Sequence, residues 1–349
     1  MQVECTLGEL SADHVVMSSS EAMRLGSTSW ALEFASAERL DTEKDDTFRV
    51  RTPEGKRYVL KVSNPAEGSD EIDFECRAME HARAHGVPTA LLVSDREGRL
   101  WAPVRDEAGQ DRVARLMTFV DGMPLDSTDS TAYERERVGE TLAALRHALA
   151  DYRHPAAGRR CTWDLTHFPD LRPLLDVVTY DGHAVLLRSG FERYMTEAAP
   201  HVPGLRRQVL HNDFSRSNIM VDHDDPAFVT GIIDFGDTVH TAIAIDVSTA
   251  LLNQLPRHAA DDLFAEGRHL LRGYLRCADL TTEELELLPH LVMGRVIARA
   301  LITLYRAAAM PHNSAYILRN TEQGWAQLAW FLARNPREMS RDFVEEAGR

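Results

Sequence analysis

Between about Phe34 and Val120 the apolar positions come in short runs separated by turn chemistry. Phe48-Arg49-Val50-Arg51 alternates apolar with polar, Thr52-Pro53-Glu54-Gly55 supplies a turn, and Tyr58-Val59-Leu60-Lys61-Val62 resumes the alternation, which predicts a β-hairpin. From Ser69 to His85 the period changes. Ile72, Cys76, Met79 and Ala82 share one helical face, Ser69 stands where an N-cap is expected, and Gly86 closes the helix just ahead of Pro88. Leu91–Val93, Leu100–Ala102 and Ala114–Val120 give three more strands. Residues 1–120 therefore read as a β-sheet lobe with one helix, preceded by a short helical extension.

Asp121-Gly122-Met123-Pro124 is a turn-rich break, and beyond it the pattern lengthens. Thr131–Tyr152, His183–Ala198, Asp261–Leu275, Thr282–Arg306 and Thr321–Ala333 carry helical spacing of Leu, Ala, Val and Trp, so residues 121–349 read as a mainly helical lobe. Gln208 to Phe235 is the exception, where Val209-Leu210, Ile219-Met220-Val221 and Val229–Ile233 are short apolar runs joined by polar, Asp-rich loops. The fold class expected is α+β and bilobal.

At 349 residues the chain has ample length for two such lobes. The balance of 39 basic against 54 acidic residues leaves a net charge of −15, which repels nucleic acid and anionic membrane surfaces. Lysine occurs only at Lys44, Lys56 and Lys61, so a lysine marks a place where a flexible point charge is wanted. Cys5, Cys76, Cys161 and Cys277 form no C-x-x-C pair, and Glu4 and Glu9 stand where a secretory signal needs basic and then apolar residues. Arg295, Arg299 and Arg306 interrupt the most apolar late segment, which argues against a membrane span. These features together point to the cytoplasm.

The stretch richest in chemistry is His211-Asn212-Asp213-Phe214-Ser215-Arg216-Ser217-Asn218, followed 16 residues after Asn218 by Asp234-Phe235-Gly236 at the end of an apolar strand. An Asp and an Asn five apart on an inter-strand loop, with a second Asp after a hairpin, suit phosphoryl transfer. Asp213 orients and deprotonates an attacking hydroxyl, while Asn218 and Asp234 hold Mg2+ against triphosphate oxygens. Lys61, at the end of a Val-Leu-Lys strand, is placed to reach nucleotide phosphates, and Glu75 on the following helix is its candidate ion-pair partner.

With those motifs the chain resembles the aminoglycoside phosphotransferase and choline kinase superfamily, which shares the bilobal protein-kinase-like fold. Glu38–Phe48, Tyr58–Asn64 and Gly231-Ile232-Ile233-Asp234-Phe235-Gly236-Asp237-Thr238-Val239-His240 are most similar to the hydroxylysine kinase branch. The resemblance implies Asp213 as base, Asn218 and Asp234 as Mg2+ ligands, Lys61 with Glu75 on the nucleotide phosphates, and Met117, Phe119 and Val120 in the hinge that holds the purine. Leu40–Phe48 would lie over the phosphates, with Thr42, Lys44 and Asp45 in that loop. It is glycine-free, so hydroxyls and backbone amides must serve there, and its acidic residues have no evident use. Asn212 stands where a protein kinase has arginine, and no A-P-E follows Asp234, so a small-molecule acceptor is favoured over a protein.

At the acceptor end, Asp237 and His240 are candidates for an amine and Arg299 for a bidentate carboxylate clamp, with Asn313 and Tyr316 also in the late-helix region. Asp246 is read as a structural acid that hydrogen-bonds the catalytic loop. The expected activity is transfer of the γ-phosphoryl group of ATP or GTP to the hydroxyl of a small amine-bearing acceptor, an amino alcohol or hydroxylysine-like amino acid. The alternatives are an antibiotic phosphotransferase, a silent nucleotide-binding pseudokinase and a metal-dependent hydrolase.

Overall fold

The computed structural model describes residues 15–42, 45–178, 181–256, 260–309, 314–318 and 321–348. Six antiparallel strands form the first sheet: β1 (Ser36–Leu40), β2 (Asp46–Arg51), β3 (Arg57–Val62), β4 (Leu92–Val93), β5 (Ala102–Arg105) and β6 (Asp111–Thr118), in the order β1-β2-β3-β6-β4 with β5 also on β6. The expected hairpin is β2–β3, closed by Thr52 N–H on Lys56 O and by Gly55 at φ +86°. The period-2 alternation has a physical result. Phe48, Val50, Leu60, Val62, Ala114 and Leu116 are buried together on one face, under Met17 and Trp30 and the helix α1 (Ser19–Leu25). Lys61 faces the other way, beside its register partner Arg115 on β6.

Helix α2 (Ser69–Ala84) buries Ile72, Cys76, Met79 and Ala82, as its spacing requires, and ends before Gly86 at φ +85°. Ser69 is its first helical residue, because the N-cap is Gly68; Asp70 and Glu71 in the first turn favour the positive end of the helix instead. Two further expectations shift. The strand placed at Leu100–Ala102 begins at Ala102, and the two ends of Leu40–Phe48 belong to strands, Leu40 to β1 and Asp46–Phe48 to β2.

The chain leaves the first sheet after Thr118 and enters a second at β7 (Met123–Pro124), which pairs with β9 (Ile219–Val221), itself paired with β10 (Val229–Ile232). β8 (Arg207–Leu210) pairs with β11 (Val239–Ala242). Around these ribbons stand α3 (Ala132–Ala148), α4 (Asp181–Glu197), α5 (Ile243–Leu252), α6 (Gly267–Cys277), α7 (Thr282–Ala309), α8 (Ser314–Leu318), α9 (Glu322–Leu332) and α10 (Pro336–Glu346). Thr131 and Glu134 start α3 with a reciprocal capping box. Gly139 and Gly273 let α3 and α6 touch backbone to backbone; a Cβ on either would fall 1.9 Å from a carbonyl oxygen of the other helix. Helix α6 starts at Gly267, six residues later than the spacing of Asp261–Leu275 suggests.

Helix α7 is the axis of the helical part. It is the one helix among the described residues long and apolar enough to cross a membrane, yet 89% of its most apolar window is buried inside the protein. Leu285, Leu288, Leu291, Val292, Ile297 and Ile302 are fully buried, each contributing ~1.5–3 kcal/mol.

Candidate active site

The loop from His211 to Asn218 is bracketed by two antiparallel ribbons. β11 pairs with β8 just before it, and β10 pairs with β9 just after it; Asp213 follows β8, Asp234 follows β10, and a hydrogen bond between His211 and Ile233 holds the two strand ends together. Two of the four non-glycine residues with positive φ among the described residues lie here, Asn212 at +61° and Asp234 at +58°. Both residue types tolerate the left-handed region better than most, and such strain persists only where surrounding bonds fix it.

Those bonds are present. His211 is fully buried, its Nδ1 accepting from Asp213 N–H at 3.3 Å and its Nε2 standing 3.2 Å from Ile233 O, to which it donates. Burial lowers its pKa to about 4, so it is a neutral strut between the two motifs. The Asp246 carboxylate accepts Asn212 N–H at 2.7 Å, and burial pushes its pKa up to about 6. The loop-bracing role expected of Asp246 is what the geometry shows. Asn212 occupies the place of a protein-kinase arginine, but a guanidinium is supplied from elsewhere: Arg295 of α7 donates to Asn212 Oδ1 at 2.6 Å and to Trp163 O at 2.6 Å.

Asn218 Nδ2 donates to Asp213 Oδ2 at 2.6 Å and to Asp213 O at 3.1 Å, which fixes the carboxylate's direction. Ile233 N–H donates to Asn218 O at 2.9 Å and so sets the next residue, Asp234, beside Asn218. Asp234 Oδ1 takes Lys61 Nζ at 2.9 Å and Gly236 N–H at 3.2 Å, leaving Oδ2 without a partner among the described residues on a side chain that is 45% exposed. The Lys61 ammonium beside it holds the Asp234 carboxyl well below the usual carboxylate range. Among the described residues no hydrogen bond to Asn218 Oδ1 is seen either. Two unused hard oxygens at one corner are the donor set a magnesium ion takes, so these residues fit the ion.

One expected pairing is corrected. Lys61 does not meet Glu75; it lies between Asp234 and Asp45, the latter at 3.3 Å. Burial alone would lower the Lys61 pKa, but the two carboxylates hold it above the ordinary lysine value. Glu75 is taken by two arginines, Arg115 at 2.9 Å and Arg159 at 2.9 Å. The reason is register: Arg115 is opposite Lys61 on β6 and competes for the same helix. Asp45 is corrected with it. Its carboxylate is buried, accepting Asn64 N–H at 3.1 Å, so it serves as the counter-ion of Lys61; facing phosphates it would repel them. The acidic residue of a glycine-free loop thus has a use. Thr42 closes that turn by donating to Asp45 O at 2.5 Å, and Lys44 lies outside the described residues.

Arg159 is the residue the sequence reading missed. Beyond Glu75 it donates through Nε to Thr238 O at 3.0 Å and through Nη2 to Gly236 O, and it lies 5.5 Å over the Phe74 ring. It therefore ties α2 to the segment that follows Asp234. No local pattern marks it, because it sits in an irregular stretch whose partners are distant in the chain. Glu75→Ala leaves Arg115 and Arg159 buried together without their carboxylate. We expect it to destabilise the fold by ~3–5 kcal/mol, read as a lower urea midpoint, and an unchanged midpoint would contradict the strut.

In the hinge, Phe119 N–H donates to Arg57 O at 3.2 Å and the Phe119 ring lies 4.6 Å beneath the Arg57 guanidinium. Phe119 N–H is thus not available to a purine, whereas Val120 N–H has no partner among the described residues. Val120 packs so closely on β10 that a Cβ at Gly231 would fall 2.4 Å from its Cγ1. Met117 is half-buried on the same sheet face as Lys61.

At the acceptor end, Asp237 is half-buried and accepts the Cys161 thiol at 3.6 Å, while the same sulfur accepts from Asn212 Nδ2 at 3.6 Å. His240 is exposed on β11. Arg299 lies one turn beyond Arg295 on α7, donating to Gln327 Oε1 at 3.0 Å. Among the described residues it meets no carboxylate, and burial lowers its pKa to about 10, which still leaves it charged at neutral pH. Asn313 lies outside the described residues, as does the Tyr316 side chain.

Comparison with known proteins follows this geometry. Mouse hydroxylysine kinase is 22% identical over 353 residues, covering 95% of this chain and 92% of its own. A microcompartment-associated aminopropanol kinase superposes with a TM-score of 0.69 at 20% identity, covering 94% of this chain and 98% of that one. An amicoumacin kinase bound to AMP-PNP, Ca2+ and its antibiotic superposes with a TM-score of 0.68 at 16% identity, covering 88% and 92%. The protein-kinase-like bilobal fold expected from the sequence is the one observed. The phosphotransferase enzyme family matches residues 38–282, and the chain belongs to that family.

Proposed function

We propose that the protein transfers the γ-phosphoryl group of ATP or GTP to the hydroxyl of a small acceptor bearing both an amine and a carboxylate, a hydroxy-amino acid of the hydroxylysine type. The observation that carries the reading is the Asn218 amide locked onto the Asp213 carboxylate, with the Lys61–Asp234 pair at the neighbouring strand end. Asp213 orients the acceptor hydroxyl and takes its proton as the oxygen attacks phosphorus and the bond to the β-phosphate oxygen breaks, releasing ADP or GDP. Asn218 Oδ1 and Asp234 Oδ2 would hold Mg2+, which when bound neutralises charge on the nucleotide's β- and γ-oxygens. Lys61 binds the phosphates, kept charged by Asp45 when Asp234 turns to the metal, and the Met117–Val120 hinge holds the base through Val120 N–H.

Asp237 anchors the acceptor's amine, with His240 as a second polar group, and Arg299 clamps its carboxylate. A half-buried guanidinium whose hydrogen-bond partner among the described residues is an amide favours an amino acid over a simple amino alcohol. The reading places the protein in the cytoplasm, which the free thiols Cys76, Cys161 and Cys277 support.

Steady-state kinetics against a panel of hydroxy-amino acids, amino alcohols, aminoglycosides and neutral sugars tests the acceptor assignment. Asp237→Asn is expected to raise the acceptor KM about 10-fold or more while leaving the nucleotide KM unchanged, since a charge-assisted bond contributes ~1.5–3 kcal/mol. Arg299→Lys is expected to raise KM for carboxylate-bearing acceptors alone, because an ammonium cannot reproduce the two-point fork. Neutral sugars outperforming every amine-bearing acceptor would overturn both assignments.

A further inference from the structure

The second half of α2 carries a cluster that phosphoryl transfer does not use. His81 and His85 are four residues apart, on one face of the end of the helix, and their rings lie 4.4 Å apart. Asp151, from the segment after α3, reaches across to them, its Oδ1 2.9 Å from His81 Nε2. One possible ligand atom from each of the three residues lies within 4.8 Å of the others.

From these residues we infer a binding site for a zinc-like divalent transition metal that joins α2 to the segment following α3. Its donor set is two imidazoles and one carboxylate, the borderline nitrogen and oxygen ligands that zinc takes with one position left for water. The orientation of His85 is already fixed. Its Nδ1 stands 2.8 Å from His81 O, to which it donates, and this backbone bond sets the tautomer that leaves the Nε2 lone pair for a metal. His81 is steadied by Tyr152, 5.2 Å from ring to ring, and Tyr152 in turn donates to Phe74 O at 3.0 Å. Tetrahedral ligands at ~2.0–2.1 Å from zinc stand about 3.3 Å apart, so closing the cluster needs rotation of the exposed Asp151 and half-buried His81 side chains towards His85. His85 and Asp151 are both exposed, so the ion enters directly from solvent.

The position has a consequence for the fold. Glu75 lies on the same helix and ties it to the segment after Asp234 through Arg159. A metal at the far end of α2 would pin the helix at two places. The site is independent of the acceptor assignment, and none of its three ligands belongs to the phosphoryl-transfer machinery.

Titration of the full-length protein with Zn2+, and with Co2+ as a spectroscopic probe, in saturating Mg2+ tests the inference. On the proposed function Mg2+ would take the Asn218 and Asp234 oxygens, and as a hard ion it leaves imidazole nitrogen for the softer metal. The expected result is one ion bound with micromolar affinity, visible as tetrahedral Co2+ absorption and a rise in Tm. His85→Ala and Asp151→Asn, both on exposed side chains, should each weaken it at least about 10-fold while leaving the Tm of the metal-free protein unchanged. Binding weaker than millimolar, or binding undiminished in both variants, would overturn the site.

Discussion

Replacing Asp213 by asparagine is expected to lower kcat at least about 10²-fold while nucleotide affinity stays near that of the parent protein. General-base catalysis contributes ~10²–10⁴-fold, and an amide of the same shape cannot accept the acceptor's proton. The substitution is clean because the loop is held by other bonds: Asn212 N–H on Asp246, Arg295 on Asn212 Oδ1, and His211 between Asp213 N–H and Ile233 O. An asparagine oxygen can still accept from Asn218 Nδ2. The proposed roles give residue 213 no contact with the nucleotide, so calorimetric titration with MgATP should give an unchanged Kd beside a collapsed kcat. Turnover near the parent value would remove Asp213 from the role of base.

Asp234→Ala should be at least as damaging, and in a different way. It removes the oxygen assigned to Mg2+ and one of the two carboxylates on Lys61, while Asp45 at 3.3 Å keeps the lysine charged and in place. The nucleotide pocket therefore survives, and the loss falls on charge neutralisation at the phosphates. Electrostatic stabilisation of that kind is worth several kcal/mol, on the order of 10²–10³-fold in rate. Half-maximal activity should also require more Mg2+ than in the parent, and a Mg2+ titration superimposable on that of the parent would contradict the metal assignment.

Much of this site was legible in the sequence because its parts are local. Asp213 and Asn218 are five residues apart on one loop, Asp234 ends an apolar strand, and the hairpin between them can only bring them together. The β2–β3 hairpin and the buried face of α2 were legible for the same reason, since period 2 and period 3.6 are properties of a few adjacent residues. What escaped was whatever depends on register or on distant partners. Glu75 is on the expected helix, but whether it meets Lys61 or Arg115 is decided by which residue of β6 stands opposite β3. Arg159 and Arg295 act on the active-site segments from elements far away in sequence. The one hint for Arg295 was its cost: a guanidinium inside an apolar helix needs acceptors, and the catalytic loop provides them. The acidic residues between Leu40 and Phe48 had no local meaning, because the partner of Asp45 is Lys61 on another strand.

On the proposed function, Asp213 and the Lys61–Asp234 pair carry phosphoryl transfer to an amine-bearing hydroxyl. Phosphorus-31 NMR of the protein with MgATP or MgGTP and a hydroxy-amino acid such as hydroxylysine tests it most directly. The account predicts a new phosphate-monoester resonance coupled to the carbinol proton of the acceptor, equimolar with the nucleoside diphosphate formed and absent with Asp213→Asn. Tight nucleotide binding with no monoester on any amine-bearing acceptor, or release of inorganic phosphate alone, would contradict it.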